Sequence, residues 1–368
     1  MPSFRTLRAS RLARLAVATL AGFTGLHAAP CGAQPPVGAG ATDARWPVKS
    51  REHVDLWLHG FAMIADDSSL VPLFRRGYRD ALVVERNKAS VTSDLDANHD
   101  ALAARLRANP RLVNAQFLPL YFGGWAELEG ALDFFLKAEG DPRGARTEQA
   151  AQLIAFFAAA FPTRDDRDFA RRLLRSLESE RERFFHAWWL AETRRRDAAF
   201  EAVDTLWQRT WRPKLQPFLN HTQQGNGEVL LTLPLEGEGR TVTGGKQRNT
   251  IAVGLPQSPA RATEAMYALA HELVGPLTGA AVDDNTTPAE KRSGAAERLS
   301  SLALVRGGAL LVAQLSKADA EGYARFYLRV AGVSFDGDAM AALAKAFPVP
   351  PALLDSIQRQ IAIAFAGI

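Results

Sequence analysis

One cysteine, Cys31, occurs in the 368 residues, and it stands ahead of every core-forming segment. A leader cleaved after Ala33 would leave the rest of the chain with none. That excludes intramolecular disulfides, cysteine metal ligands and cysteine nucleophiles from the body of the protein. Past the N-terminus there is no run of about 18 uninterrupted apolar residues, so no integral membrane span is expected after signal removal. The dinucleotide fingerprint and the Gly-x-Ser-x-Gly elbow are also missing. Gly244-Gly245-Lys246 lacks the upstream glycine and following hydroxyl residue of a P-loop, so it reads as turn chemistry. Excess charge of one sign is missing too. The 44 Lys+Arg exceed the 40 Asp+Glu by four. Arg5, Arg8, Arg11 and Arg14 account for that excess, because the first 33 residues hold no acid. A balanced body does not suit a polyanion, so nucleic acid is not an expected partner.

What is present is ordinary globular composition, 47% hydrophobic and 23% charged, in a length that allows about two or three domains. The N-terminus reads as a secretory signal: spaced arginines, an apolar stretch over 15–29 (LAVATLAGFTGLHAA), then small residues up to a cleavage point after Ala33. Pro30 sits where a lipoprotein signal needs a small residue, which argues against lipidation of Cys31. An exported chain, periplasmic or extracellular, is expected, with residues 34–43 as a flexible leader.

From 44 to 216 the pattern is helical. Leu102, Leu106 and Leu112 recur near helical spacing, as do Leu153, Phe156, Phe157 and Ala160. Asp96 or Asn98 can cap a helix that runs to Ala108 and closes at Asn109-Pro110. A long charged helix is expected over 164–196. The texture changes after 217. Residues 228–235 (EVLLTLPL), 240–243 and 249–255 (NTIAVGL) read as three strands joined by a Gly-Glu-Gly turn and a Gly-Gly turn, hence a small antiparallel sheet. Helices follow from Pro259, then over 288–315, 319–330, 337–347 and 351–364. The expected fold is α+β and predominantly α-helical.

The β-to-α junction leads into Ala268-Leu269-Ala270-His271-Glu272-Leu273-Val274-Gly275-Pro276. A His followed by Glu on a buried helix is half of the arrangement in which two histidines four apart bind zinc and the Glu is the general base. Glu297 lies 26 residues beyond His271, on a following helix. In this order of elements, residues 228–314 resemble the zincin metallopeptidases of the gluzincin type. The resemblance implies zinc, with His271 and Glu297 as ligands and Glu272 as base for attack of water on a peptide bond. It also implies an edge strand that holds an extended substrate, and a tyrosine, Tyr327 or Tyr323, that stabilises the tetrahedral intermediate. The partner is then a peptide or protein substrate. The second His position is Gly275, and Pro276 must kink or stop the helix there. A replacement ligand would have to come from His53, His59, His99, His186 or His221, with His221 nearest in sequence. An inactive zincin-like binding or scaffold protein is the alternative.

Three other features read as structural. Residues 94–100 (DLDANHD) place oxygen ligands as a calcium loop does, but His99 and Arg105 stand where Gly and Glu are needed, so an acidic helix cap is expected. Phe184, Phe185, Trp188 and Trp189 among arginines read as a core stripe beside a charged face, and His59 as a hydrogen-bonded core histidine. The pair Glu236 and Glu238, flanked by glycines, reads as a hairpin turn.

Overall fold

A computed structural model describes residues 46–66, 69–243 and 249–367. The expected signal, the leader and Gly244-Gly245-Lys246 lie outside the described residues. The chain opens with strand β1 (Val48–Lys49) and helices α1 (Glu52–Ile64), α2 (Tyr78–Lys88) and α3 (Asp94–Ala108). A 3-10 segment (Pro110–Tyr121) leads to α4 (Trp125–Lys137), α5 (Glu148–Ala160) and α6 (Arg164–Glu180). A π-helical turn (Arg181–Phe185) joins α6 to α7 (His186–Arg195), and α8 (Asp197–Leu206) continues through a second such turn (Trp207–Trp211) into α9 (Arg212–His221). Strands β2 (Gly227–Thr232), β3 (Arg240–Thr243) and β4 (Asn249–Gly254) come next. The remaining helices are α10 (Ala262–Leu273), α11 (Gly275–Asp284), α12 (Pro288–Arg292), α13 (Ala295–Ala313), α14 (Lys317–Val330), α15 (Ala339–Ala346) and α16 (Pro351–Ala366). The fold is predominantly helical α+β, as expected. Among the described residues no helix is long and apolar enough to cross a membrane.

The sheet differs from the expected antiparallel one. It has four strands in the order β1-β2-β4-β3; β1, β2 and β4 run parallel, and only β3 is antiparallel. The physical reason lies in the side chains. Val229, Leu230 and Leu231 of β2 and Ile251, Ala252 and Val253 of β4 are buried on both faces, as central strands require. β3 (RTVT) is polar and takes the edge, so β4 inserts between β2 and β3 and a simple meander is excluded.

Alternation along the strands gives the sheet two apolar faces. Leu230 and Ala252 pack against Val54 and Leu58 of α1 and against Phe117 and Leu120 of the 3-10 segment. Val229, Leu231, Ile251 and Val253 belong to the larger core, with α9, α10, α14 and α16. The first helices form a separate core that ends at Phe185; from Val203 onward the side chains join the larger one. Trp188 and Trp189 pack against both, and Phe184 and Phe185 are buried, so this aromatic stripe is core. The cap of α3 is Ser93, one turn earlier than expected, with Asp96 closing a capping box. The helix expected over 288–315 is broken at Gly294, whose φ of +73° starts α13 afresh.

Asp55 ties the first helices to the sheet. It is fully buried; its two oxygens accept from Trp189 Nε1 (2.7 Å) and from the backbone N–H of Leu233 (3.0 Å). Burial pushes its pKa up to about 7 against those two hydrogen bonds and the nearby Arg196 and Arg75. A carboxyl whose pKa is raised on folding binds its proton more tightly in the folded state. Between about pH 4 and about pH 7 the stability of the fold should therefore fall as pH rises, by up to about 1.4 kcal/mol per unit from this one group, and level off above. Urea titrations of wild type and Asp55→Asn at pH 5 and pH 8 check this. The variant is weaker at both, because an amide cannot accept both donors, and its deficit should shrink by at least about 1 kcal/mol at pH 8. A deficit independent of pH would show that Asp55 keeps an ordinary carboxylate pKa.

Candidate functional site

Helix α10 packs on the sheet through small residues; Ala262, Ala265, Ala268 and Ala270 are all buried. It stops at Leu273, because the Pro276 ring nitrogen has no hydrogen to give the Glu272 carbonyl and a new helix starts at Gly275. The last turn of α10 thereby presents His271 and Glu272 beneath the turn that links β2 to β3.

That turn, residues 237–239, lies very close to its neighbours. A Cβ on Gly237 would stand 2.5 Å from Val330 Cγ1, and one on Gly239 would stand 2.4 Å from the Ala252 carbonyl oxygen. Only glycine fits at either place. The Tyr327 hydroxyl donates to the Gly237 carbonyl (3.0 Å), and the Gly239 N–H donates to Glu272 Oε1 (3.1 Å). Glu238, held between the two glycines, reaches His271 Nε2 with its Oε2 at 3.4 Å. On β3, Thr241 pairs with Ile251 and so shares the face turned to α10. Its hydroxyl donates to Glu272 Oε2 at 3.2 Å.

The imidazole of His271 is fully buried between two tyrosines of α14. Tyr327 stacks on it (centroids 5.1 Å apart, planes 23° apart), and the Tyr323 hydroxyl lies 3.5 Å from Nδ1. Tyr323 has room because α13 presents Gly308 there; a Cβ on Gly308 would stand 2.1 Å from that hydroxyl. One ligand atom each from Glu238, His271 and Glu272 falls within 4.8 Å of the others, and no other such group occurs among the described residues.

Electrostatics follow from this burial. Burial alone would lower the His271 pKa, but Glu238 and, more weakly, Glu272 outweigh it, and the value is raised. Burial raises the Glu272 pKa, with Glu238 adding to the rise and His271 opposing it. Burial holds both Tyr323 and Tyr327 as neutral phenols far above neutrality.

The structure thus brings His271, Glu272, Tyr323 and Tyr327 together but leaves Glu297 out of the group. Glu297 sits in the first turn of α13. That helix passes the site at Gly308, eleven residues later, about 16 Å along the axis. A Cβ on Gly275 would meet nothing nearer than Leu304 Cδ1 at 3.8 Å, and no second histidine joins the described group. His221 ends α9 and is exposed. His53 is held by the Phe122 and Pro119 carbonyls, and buried His59 by Glu180 and Tyr78, the latter as expected of a core histidine. Glu238 corrects the sequence reading: it is part of the site as well as of a turn. The signal was present in Gly-Glu-Gly, an acid fixed between two residues that permit close backbone approach.

Comparison with family models, curated proteins and solved structures finds no match.

Gly239→Ala should destabilise the fold by roughly 1–3 kcal/mol, because a methyl group there meets backbone that cannot move aside. It should also disturb the site, since the new methyl would stand 3.0 Å from Glu272 Cγ. Chemical denaturation measures the first effect. A midpoint equal to wild type would mean that the turn does not lie this close.

Proposed function

We propose that the chain is an exported hydrolase related to the zincin metallopeptidases, acting on a peptide bond with divalent-cation assistance. The observation that supports metal-assisted hydrolysis is the convergence of an imidazole and two carboxylates, two of the three buried, beneath edge strand β3; the relation to the zincins rests on the sequence resemblance alone. The donor set fits zinc, which takes imidazole nitrogen and carboxylate oxygen. The 3.4 Å between His271 Nε2 and Glu238 Oε2 is close to the edge of a tetrahedron with bonds of about 2.1 Å.

His271 and Glu238 are the residues that would hold the ion. Glu272 is the base, because both its oxygens are already fixed by Gly239 and Thr241, whereas Glu238 faces only His271. A bound zinc would supply Lewis acidity and lower the pKa of a water. The chain's own contribution is orientation. Tyr323 holds the far nitrogen of His271, in the manner of the outer partners that orient metal-binding histidines. Tyr327 stacks on the same ring and anchors the turn that carries Glu238. Its hydroxyl is committed to Gly237, so its role is support of the site. Glu272 takes the proton of the attacking water at a carboxylate oxygen.

A second reading, a non-catalytic zincin-like binding or scaffold protein, is favoured by Gly275, which leaves the ion two firm protein ligands where catalytic zinc sites take three.

Metal analysis and a peptide-cleavage assay separate the two. Glu272→Gln should lower cleavage by at least about 100-fold while leaving zinc bound. Glu238→Gln should weaken zinc by about 10-fold or more. Glu297→Gln should change neither. Cleavage that survives Glu272→Gln, or a protein that binds no zinc at micromolar concentration, removes the enzymatic reading.

A further inference from the structure

Strand β3 closes one side of the sheet, and no strand among the described residues pairs with its outer edge. Arg240, Thr241 and Val242 are half-buried there and Thr243 is exposed. An edge of this kind can take an extended peptide as a further strand. Its place beside the site is fixed by contact. The Gly239 N–H and the Thr241 hydroxyl, on either side of Arg240, both donate to the Glu272 carboxylate, at 3.1 and 3.2 Å.

Alternation decides which side chains an added strand meets. Thr241 turns to α10 and Glu272, so Arg240 and Val242 turn to the opposite face. There Val242 packs against Phe117 and Leu120, and the Arg240 guanidinium lies over the Phe117 ring, 4.7 Å from its centroid. Tyr121, four residues further along the 3-10 segment, is 54% exposed and rests edge-on against Phe156 (centroids 5.0 Å apart). Burial raises the pKa of Tyr121 and of Glu272, and the Arg240 charge works against both rises, so the guanidinium stands within electrostatic reach of each. Glu272 is on the far face of the strand with both oxygens already hydrogen-bonded. Among the described residues the Arg240 side chain forms no ion pair or hydrogen bond, and the Tyr121 hydroxyl forms no hydrogen bond. A guanidinium presents five N–H donors in a planar fork that matches a carboxylate.

We propose that β3 takes an extended peptide as a further strand and that Arg240 selects an acidic side chain at the peptide position opposite it. Side chains directly opposite each other on one face of a strand pair stand about 4.5–5.5 Å apart at Cβ, within reach of a guanidinium–carboxylate pair. The Tyr121 hydroxyl is a second free donor on the same side. The peptide residues flanking the acid turn to the other face, the side of Glu272. The inference rests on the hydrolase reading for the fate of the bound peptide. The substrate class is then extended segments with Asp or Glu one residue from the side chains that face Glu272.

The test is binding, measured by calorimetry on the full chain carrying Glu272→Gln, so that turnover does not blur the result. The probes are acetyl-Ala-Thr-Xaa-Thr-Ala amides with Glu, Gln or Lys at the central position; blocked ends leave that side chain as the sole difference. The Glu peptide should bind about fivefold more tightly than the Gln peptide, with the Lys peptide weakest. Adding Arg240→Glu should reverse the order, so that the Lys peptide binds best, a result that a merely structural role of Arg240 would not produce. Equal binding of the three peptides, or no binding of any, overturns the proposal. An acid preference that survives Arg240→Glu overturns the role of Arg240. Should Arg240→Glu fail to fold, the comparison of the three peptides on the parent chain decides without it. Selective binding of the Glu peptide by a chain whose wild type cleaves nothing would sink the hydrolase reading and leave the β3 subsite standing; cleavage indifferent to the central side chain would do the reverse.

Discussion

Two strands that are apolar on both sides set the layout of this molecule. β2 and β4 cannot be left with a face in water, so each needs cover from both directions. Helix α1 and the 3-10 segment close one face, and α10 lies against the other. The polar strand β3 can then only be an edge. The short connection from β2 must cross the ends of the sheet to reach that edge, and it crosses directly over the last turn of α10. The site is a consequence of this crossing. Its acid comes from the crossing turn, and its imidazole and base come from the helix beneath.

The cost of bringing these groups together is met by local hydrogen bonding. Two carboxylates and an imidazole with little access to water would repel or strip one another of solvation if left unpaired. Here each has a partner: Glu272 takes an N–H and a hydroxyl, His271 has Glu238 on one nitrogen and Tyr323 on the other. Only Glu238 keeps substantial exposure, with 28% of its side chain open against none for His271. Solvent therefore reaches the group from the Glu238 side, which is the side of the turn.

The parts of this arrangement that could be read from the chain were those encoded locally. The helical body, the positions of the three later strands, the stop at Pro276 and the pairing of His271 with Glu272 on one helix all follow from neighbouring residues. Strand order did not, because it depends on which strands are buried on both faces. EVLL and TIAV carry that information only when each is compared with RTVT. The short strand at Val48 was invisible, since two residues have no period. Glu297 shows the limit of spacing as a guide. It lies at the start of α13, whereas that helix meets the surroundings of His271 at Gly308, where the missing side chain admits Tyr323.

Grouping His271 with Glu238, from a turn, makes the arrangement depend on more than one helix. Two histidines four apart on an unbroken helix would be held together by the helix itself, whatever the sheet does. Here residue 275 is glycine and the helix stops before Pro276, so α10 supplies no such pair. Glu238 instead reaches His271 through a turn whose place is set by glycines pressed on Val330 and on the Ala252 carbonyl, and by Tyr327. The donor set is thus maintained by contact between sheet, turn and α14. Any loosening of that contact separates Glu238 from His271 while leaving both elements intact. The tight packing of 237–239 therefore fixes the position of the Glu238 carboxylate against the His271 ring, a task that no residue on α10 itself performs.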